Sequence, residues 1–125
     1  MKKNNKVKWL DKPEEHDYPA AESYLNLTLE PNHVKSIVSK LRETTMTSFK
    51  AKDIFRASKL SLLGVSNSHV EKNLKKIKKG QKMSPLLLVR DSFNGTVIIA
   101  DGYHRMCGVY HYDEDALIPC KIVSL

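Results

Sequence analysis

Two apolar segments separated by a short polar loop place the strongest constraint on how this chain can fold. Residues 86–90 read LLLVR and residues 96–100 read TVIIA, and the loop between them ends in Asn94-Gly95. An Asn-Gly pair between two such segments is typical of a β-hairpin. Each segment is apolar at successive positions rather than at alternate ones, so both faces of each strand should be covered. The sequence therefore predicts a hairpin that is buried on both sides.

Amphipathic helices are predicted before the hairpin. Pro31 suits the first turn of a helix, and apolar residues follow it with the spacing of one helical face: Val34, Ile37, Val38 and Leu41. A second helix is expected from residue 68. Ser68 and Glu71 fit a capping box, Gly80 suits the position after the last turn, and the buried stripe consists of Val70, Leu74 and Ile77.

After the hairpin, the segment from residue 101 reads DGYHRMCGVY and predicts a tight turn into a further helix. Residues 118–123 read IPCKIV and predict a closing strand. This order of elements indicates an α+β fold, with a small mixed sheet built from the hairpin and the last strand and covered by helices. At 125 residues, of which 41% are hydrophobic, the chain is long enough for one such domain.

The charge of the chain is positive and unevenly distributed. Twenty-one Lys and Arg against 14 Asp and Glu give a net charge of +7. Residues 1–82 hold 18 basic and 9 acidic side chains, whereas residues 83–125 hold 3 basic and 5 acidic ones. This balance favours an anionic partner, of which nucleic acid is one example.

Several classes of protein are excluded by what the sequence lacks. No segment approaches the roughly 18 apolar residues of a membrane-spanning helix, so no membrane partner is expected. The charged N-terminus lacks the apolar run of a secretory signal. We therefore expect a cytoplasmic protein in which Cys107 and Cys120 are reduced thiols. The histidines and cysteines do not show HxxxH or CxxC spacing, so no metal ligands are predicted.

The junction at residues 101–105 is the most informative motif for function. A helix start presents unpaired N–H groups and the positive end of the helix dipole, which favour an anionic oxygen. Gly102 lets a ligand approach the backbone, Arg105 can hold phosphate by two parallel hydrogen bonds, and His104 can donate to it or transfer a proton. Asp101 is open to two interpretations, the helix N-cap or a catalytic or metal-binding group, since a carboxylate beside an anion site would repel the ligand unless it held a divalent cation. The alternative for His104 and Arg105 is an exposed first turn that pairs with acidic neighbours.

From about residue 49 onward, the sequence resembles the ParB/sulfiredoxin superfamily. The resemblance rests on the order of a capped helix (SNSHVEKNLKKIKKG), two strands (SPLLLVR and TVIIA), the DGYHR motif, a helix and the strand IPCKIV. At the position of DGYHR, sulfiredoxins carry Gly-Gly-Cys-His-Arg and ParB proteins carry Gly-Glu-Arg-Arg, and these motifs bind the phosphates of ATP and CTP respectively. The resemblance implies the same role for Gly102, His104 and Arg105, with a nucleotide of the ATP or CTP type as the cofactor. In a phosphoryl-transfer reaction, Mg²⁺ is expected to neutralise the phosphates of that nucleotide.

The sequence departs from both families at points that matter for activity. Tyr103 occupies the place of the sulfiredoxin cysteine, so reduction of sulfinic acids is not expected, and Tyr103 becomes a candidate contact to the ligand instead. Cys107 lies about one helical turn further on and does not replace that cysteine. ParB reads DNA through a helix-turn-helix domain after this module, but here the sequence ends at Leu125. Site-specific partition binding is therefore not expected either.

The resemblance also assigns a role to the helix before the hairpin. It places His69, Lys72 and Lys76 along the nucleotide site, and their spacing puts them on one helical face. The remaining lysines of this helix would then stay in solvent. The alternative is that all of its lysines form a solvated face, since positive charge near a helix C-terminus complements the dipole.

The sequence therefore predicts a ParB/sulfiredoxin-like domain at residues 49–125. Residues 1–48 are expected to form a helical extension packed on it, which covers one side of the pocket or makes a homodimer interface. The expected function is binding of a nucleotide or another phosphorylated ligand, and the candidate reaction is phosphoryl transfer or nucleotide hydrolysis with His104 or Asp101 as the acid/base. A non-catalytic nucleic-acid-binding module and a protein-interaction module are the alternatives.

Overall fold

The computed structural model describes residues 6–125, and these residues form the α+β fold that the sequence predicts. The helices are α1 (Asp17–Leu25), α2 (Pro31–Glu43), α3 (Ala51–Ser58), α4 (Ser68–Lys78) and α5 (Tyr103–Tyr112). The strands are β1 (Lys8–Trp9), β2 (Thr47–Lys50), β3 (Lys82–Met83), β4 (Leu86–Asp91), β5 (Thr96–Asp101) and β6 (Leu117–Ser124). Within the described part of the chain, none of the helices has the length and apolar composition needed to cross a membrane.

The main sheet is mixed and has four strands in the order β2-β6-β4-β5. β4 and β5 form the predicted antiparallel hairpin, and β6 pairs parallel with β4. β2 pairs antiparallel with the other edge of β6. A separate parallel pair, β1 with β3, was not predicted, because each of these strands has only two residues and leaves no periodic pattern in the sequence.

Successive side chains of β4 point into two different cores. Leu87 and Val89 pack with the apolar stripe of α2 and the buried face of α1. Leu86 and Leu88 pack on the opposite face with α3, α4 and α5. All four side chains are at most 1% exposed. The prediction that both faces are covered is confirmed for β4, and α1 and α2 provide one of the two covers. In β5, Val97 and Ile98 face opposite cores but are only partly buried.

The hairpin loop is held by its first residue. The Asp91 carboxylate accepts hydrogen bonds from the backbone N–H of Asn94 at 3.1 Å and from its side-chain amide at 2.8 Å. These bonds stabilise the ionised carboxylate and hold the pKa of Asp91 below its usual value. Gly95 follows with a φ of +67°, which glycine adopts at little steric cost. The Asn-Gly pair therefore ends the loop as the sequence indicates.

The segment before α1 is attached to the residues just before the hairpin. The Leu10 N–H donates to the Met83 carbonyl at 2.8 Å, and the Glu14 N–H donates to the Ser84 hydroxyl at 3.2 Å. From there α1 packs against β5, and α2 packs against β6. Residues 1–5 of the predicted extension lie outside the described residues.

We expect Leu87→Ala and Leu88→Ala each to lower the free energy of unfolding by about 2–5 kcal/mol, the usual cost of truncating a buried leucine. The two changes test the two cores separately, because the side chains point to opposite faces of the sheet. Phe93→Ala is the matched control, since Phe93 is 96% exposed in the hairpin loop and should change stability by less than about 0.5 kcal/mol. Urea unfolding measures all three. A small effect of Leu87→Ala would contradict the packing of α1 and α2 on the sheet.

Candidate functional site

The turn from β5 into α5 is built around Gly102. Its φ is +110°, and a Cβ at this position would lie 2.7 Å from Leu86 Cγ and 2.9 Å from Arg105 Nη2. Only glycine allows this close approach of the backbone to β4 and to the guanidinium. The Met106 N–H donates to the Gly102 carbonyl at 2.9 Å, so the N–H groups of residues 103–105 precede the first intrahelical bond and are left for other acceptors.

Asp101 and Arg105 form an ion pair at the base of this turn. The Asp101 carboxylate accepts a hydrogen bond from Arg105 Nη2 at 2.9 Å, and the same nitrogen lies 3.3 Å from the Pro85 carbonyl oxygen. Arg105 Nε is buried and has no hydrogen-bond partner within residues 6–125. The N-cap interpretation of Asp101 is wrong, because Asp101 ends β5 and Gly102 takes the N-cap position.

The start of α4 differs from the predicted capping box by one residue. Asn67 is the N-cap, and its side-chain oxygen accepts from the N–H groups of His69 at 3.0 Å and Val70 at 3.2 Å. Ser68 is already the first helical residue. Asn and Ser are about equally good N-caps, so the sequence alone could not choose between neighbouring positions. The correction leaves the predicted apolar stripe on the buried side, with Val70 and Ile77 at most 1% exposed.

A cleft of about 260 Å³ lies between the first turn of α5 and the exposed face of α4. Every site residue that the sequence predicts lines this cleft, together with Asn73: His69, Lys72, Asn73, Lys76, Asp101, Gly102, Tyr103, His104 and Arg105. Asn73 was missed, although it lies one helical turn after His69 and its side-chain amide donates to the His69 carbonyl at 2.8 Å. Asn73 follows His69 by four residues and so shares the helical face of His69, Lys72 and Lys76, and this spacing could have indicated it.

The two histidines of the cleft lie against each other. The ring centroids of His69 and His104 are 4.8 Å apart. Partial burial lowers the pKa of His104 below its ordinary value, and the neighbouring His69 adds to this effect. His104 is therefore mainly neutral near pH 7 and can act as a hydrogen-bond donor or acceptor, according to its tautomer.

The pKa of Asp101 depends on the burial of its carboxyl group and on neighbouring charges of both signs. Burial raises its pKa, Arg105 opposes that rise, and the carboxyl of Asp17 adds to it. Asp17 comes from the start of α1 and is only 3% exposed. Its carboxylate accepts from the Glu14 N–H at 3.0 Å and from the Ser84 hydroxyl. Two carboxyl groups thus lie near one guanidinium, and the second of them comes from the N-terminal segment.

A smaller hollow of about 130 Å³ lies beside the cleft and shares three of its lining residues, Asn73, Lys76 and Arg105. Its other lining residues come mainly from the segment before α1 and from β3: Glu14, His16, Asp17, Lys82, Met83 and Ser84. No sequence pattern indicated these residues, because they lie far from the DGYHR motif along the chain. Only the packing of α1 beside β5 brings Asp17 to the site.

Tyr103 lines the cleft but also holds the loop between α3 and α4. Its hydroxyl donates to the Ser61 carbonyl, and His111, two turns further along α5, lies 2.7 Å from the Leu63 carbonyl. Burial raises the pKa of Tyr103, and the neighbouring Cys107 contributes. The phenol is therefore neutral at physiological pH and acts as a donor to the backbone of this loop.

Within residues 6–125, no group of three or more His, Cys, Asp and Glu is placed to hold a metal ion. Comparisons of the chain with protein-family models, curated proteins and solved structures find no match. The resemblance to the ParB/sulfiredoxin superfamily therefore stays a prediction from the sequence. Function must be inferred from the residues of the cleft.

Gly102→Ala should lower the free energy of unfolding by about 2 kcal/mol or more, because it adds both a strained backbone conformation and an overlap with Leu86. Gly64→Ala is the matched control. Gly64 does not have a positive φ, and a Cβ there would meet no described atom within 4 Å. Urea unfolding of the two variants gives the comparison. If the two variants had equal free energies of unfolding, the close contact between Gly102 and Leu86 would be contradicted.

Proposed function

We propose that this protein binds a nucleotide through its phosphates in the cleft between α4 and the start of α5. The observation that carries the proposal is the convergence of three cationic side chains, Lys72, Lys76 and Arg105, with the N-terminus of a helix on one cleft. The helix start supplies N–H donors and positive potential, and each lysine adds a mobile ammonium donor. The unpartnered Nε of Arg105 supports the same proposal, because a buried guanidinium donor is costly without an acceptor.

The size of the cleft favours phosphates over a whole enclosed nucleotide. At about 260 Å³ it lies just below the roughly 300–1,000 Å³ of ordinary ligand pockets. The phosphates would occupy the cleft, and the sugar and base would extend along its rim. The neighbouring hollow offers further room on the side of Arg105 and Lys76.

A reaction at this site would use Asp101 or His104 as the acid/base. Burial raises the pKa of Asp101 and lowers that of His104, so the two pKa values move towards each other. A Mg²⁺ ion would be held largely by the ligand phosphates, with Asp101 as the carboxylate that lines the cleft, since Mg²⁺ usually keeps waters and binds few protein groups. Phosphoryl transfer or nucleotide hydrolysis is the reaction class that these groups suit.

Neither of the two alternative functions, nucleic-acid binding and protein interaction, depends on the cleft. The exposed lysines of α4 that do not line the cleft, together with other basic residues before residue 82, would suit a nucleic-acid backbone. A protein-interaction module would require none of the cleft residues. We also propose a cytoplasmic location, which the two unpaired and buried cysteines support. A homodimer, which the sequence analysis connects with the N-terminal extension, also stays a proposal.

Thermal unfolding in the presence of ATP, CTP, GTP or their diphosphates, each with and without Mg²⁺, tests the proposal. A ligand at 100 times its dissociation constant should add about 2.7 kcal/mol of stability. For a chain of this length that corresponds to a rise of roughly 10 °C in Tm. If none of these ligands shifts Tm, nucleotide binding is wrong.

A pair of matched double variants assigns the binding to the cleft. Lys72→Ala with Lys76→Ala should weaken nucleotide binding by about tenfold or more, because each lysine lost removes a charge-assisted hydrogen bond. Lys75→Ala with Lys79→Ala removes the same charge with the same spacing from the last turn of α4 and its C-cap, outside the cleft lining. This control should bind nearly as the parent protein does. Equal losses in both variants would instead favour the nucleic-acid alternative, in which surface charge acts without regard to position.

His104 gives a local readout of an anion in the cleft. We expect its imidazole to titrate below the ordinary value of 6.5 in the free protein, because burial and His69 disfavour the charged form. A bound phosphate favours the imidazolium, so saturation with nucleotide should raise the pKa of His104, and affinity should increase as pH falls through that pKa. NMR titration of the imidazole resonances, with His104→Gln for assignment, measures both values. A pKa that ligand does not change would place the anion elsewhere.

A further inference from the structure

Asp101 is an anomaly in a cleft that otherwise suits an anion. Its side chain is 15% exposed and lies 2.9 Å from Arg105 Nη2, so a carboxylate stands beside the cation that would hold a phosphate. The carboxyl of Asp17, whose residue is 3% exposed, raises the pKa of Asp101 and so adds to the negative charge near it. An anion at the start of α5 therefore meets the carboxyl group of Asp101 as well as the guanidinium of Arg105.

A carboxylate in this position treats two kinds of anion differently. A fully ionised anion presents only electron pairs, and these repel the oxygens of Asp101. An anion that keeps a proton can donate it in an O–H···O⁻ hydrogen bond, which is one of the stronger hydrogen bonds in proteins. The same carboxylate thus penalises one ligand and stabilises the other, which is how a binding site gains specificity.

We infer that Asp101 is a specificity-determining residue that makes the cleft selective for a phosphate group carrying a proton, such as orthophosphate, or a phosphomonoester at a pH near or below its second pKa of about 6. Anions of similar shape and charge without a proton are disfavoured. This inference rests on the proposed phosphate binding, and it adds which kind of phosphate lies against Asp101.

Hydrogen phosphate and sulfate are the matched probes. At pH 8 both carry two negative charges and have similar size, but only hydrogen phosphate retains a proton. The charged and titratable groups that face Asp101 are Arg105 and His104 on α5, Asp17 on α1, and His69, Lys72 and Lys76 on α4. Their charges act equally on the two dianions, so a difference in affinity reports the hydrogen bond. Titrations at constant ionic strength remove differences in screening.

The experiment follows the backbone amide resonances of residues 103–105 by NMR during titration with each anion at pH 8. We expect hydrogen phosphate to bind at least about tenfold more tightly than sulfate, the minimum expected of one charge-assisted hydrogen bond. Asp101→Asn should bring the two affinities within about threefold, because an amide can donate to either anion. Asp113→Asn makes the same charge change at the other end of α5 and should leave the ratio as it is in the parent protein.

The outcomes separate this inference from the proposed function. Equal binding of the two anions by the parent protein overturns the inference and leaves phosphate binding in place. A preference that appears only with Mg²⁺ also overturns it, because the ion would then mediate between carboxylate and phosphate. Binding of neither anion counts against the proposed function itself. The comparison in the parent protein needs no substitution, so it decides the matter even if Asp101→Asn fails to fold.

Discussion

The burial of β4 on both faces is the constraint on which the rest of the structure depends. Its residues alternate between two cores, so that Leu87 and Val89 pack under α1 and α2 while Leu86 and Leu88 pack under α3, α4 and α5. One strand thereby fixes two groups of helices that are distant in sequence. The hydrophobic effect has no preferred direction, but successive side chains of a strand point to opposite faces. The apolar residues of β4 are therefore buried against helices on both sides of the sheet.

The candidate site depends on the same strand. Leu86 lies so close to Gly102 that a Cβ could not be accommodated, and the Pro85 carbonyl lies 3.3 Å from Arg105 Nη2. Core packing therefore sets where α5 begins and where its guanidinium is held. α4 packs against α5, with Val70 and Ile77 in the core that the two helices share, and this leaves its lysine-bearing face beside the start of α5. The cleft is the space that remains between these two helices.

The charges of the cleft do not all have the sign that an anion would require. Lys72, Lys76 and Arg105 are opposed by Asp101, and Asp17 from the N-terminal segment adds to that opposition. Both parts of the chain contribute charges of both signs here, Lys72, Lys76 and Asp17 from residues 1–82 and Arg105 and Asp101 from residues 83–125. A cleft of mixed charge attracts anions less strongly than a wholly basic one, but it can distinguish between them.

The sequence by itself determined the elements whose signals are local. Successive apolar positions specified the buried hairpin, the helical spacing of Val34 to Leu41 specified α2, and the DGYHR motif specified the turn that carries the candidate site. Tertiary structure alone decided which residues meet across long separations, because contacts of that kind leave no pattern in neighbouring residues. It paired β1 with β3, placed Asn67 rather than Ser68 at the helix cap, and joined Asp101 to Arg105 instead of to the helix N-terminus. It also brought Asp17 from α1 to the edge of the cleft, since only the packing of α1 on β5 sets that distance.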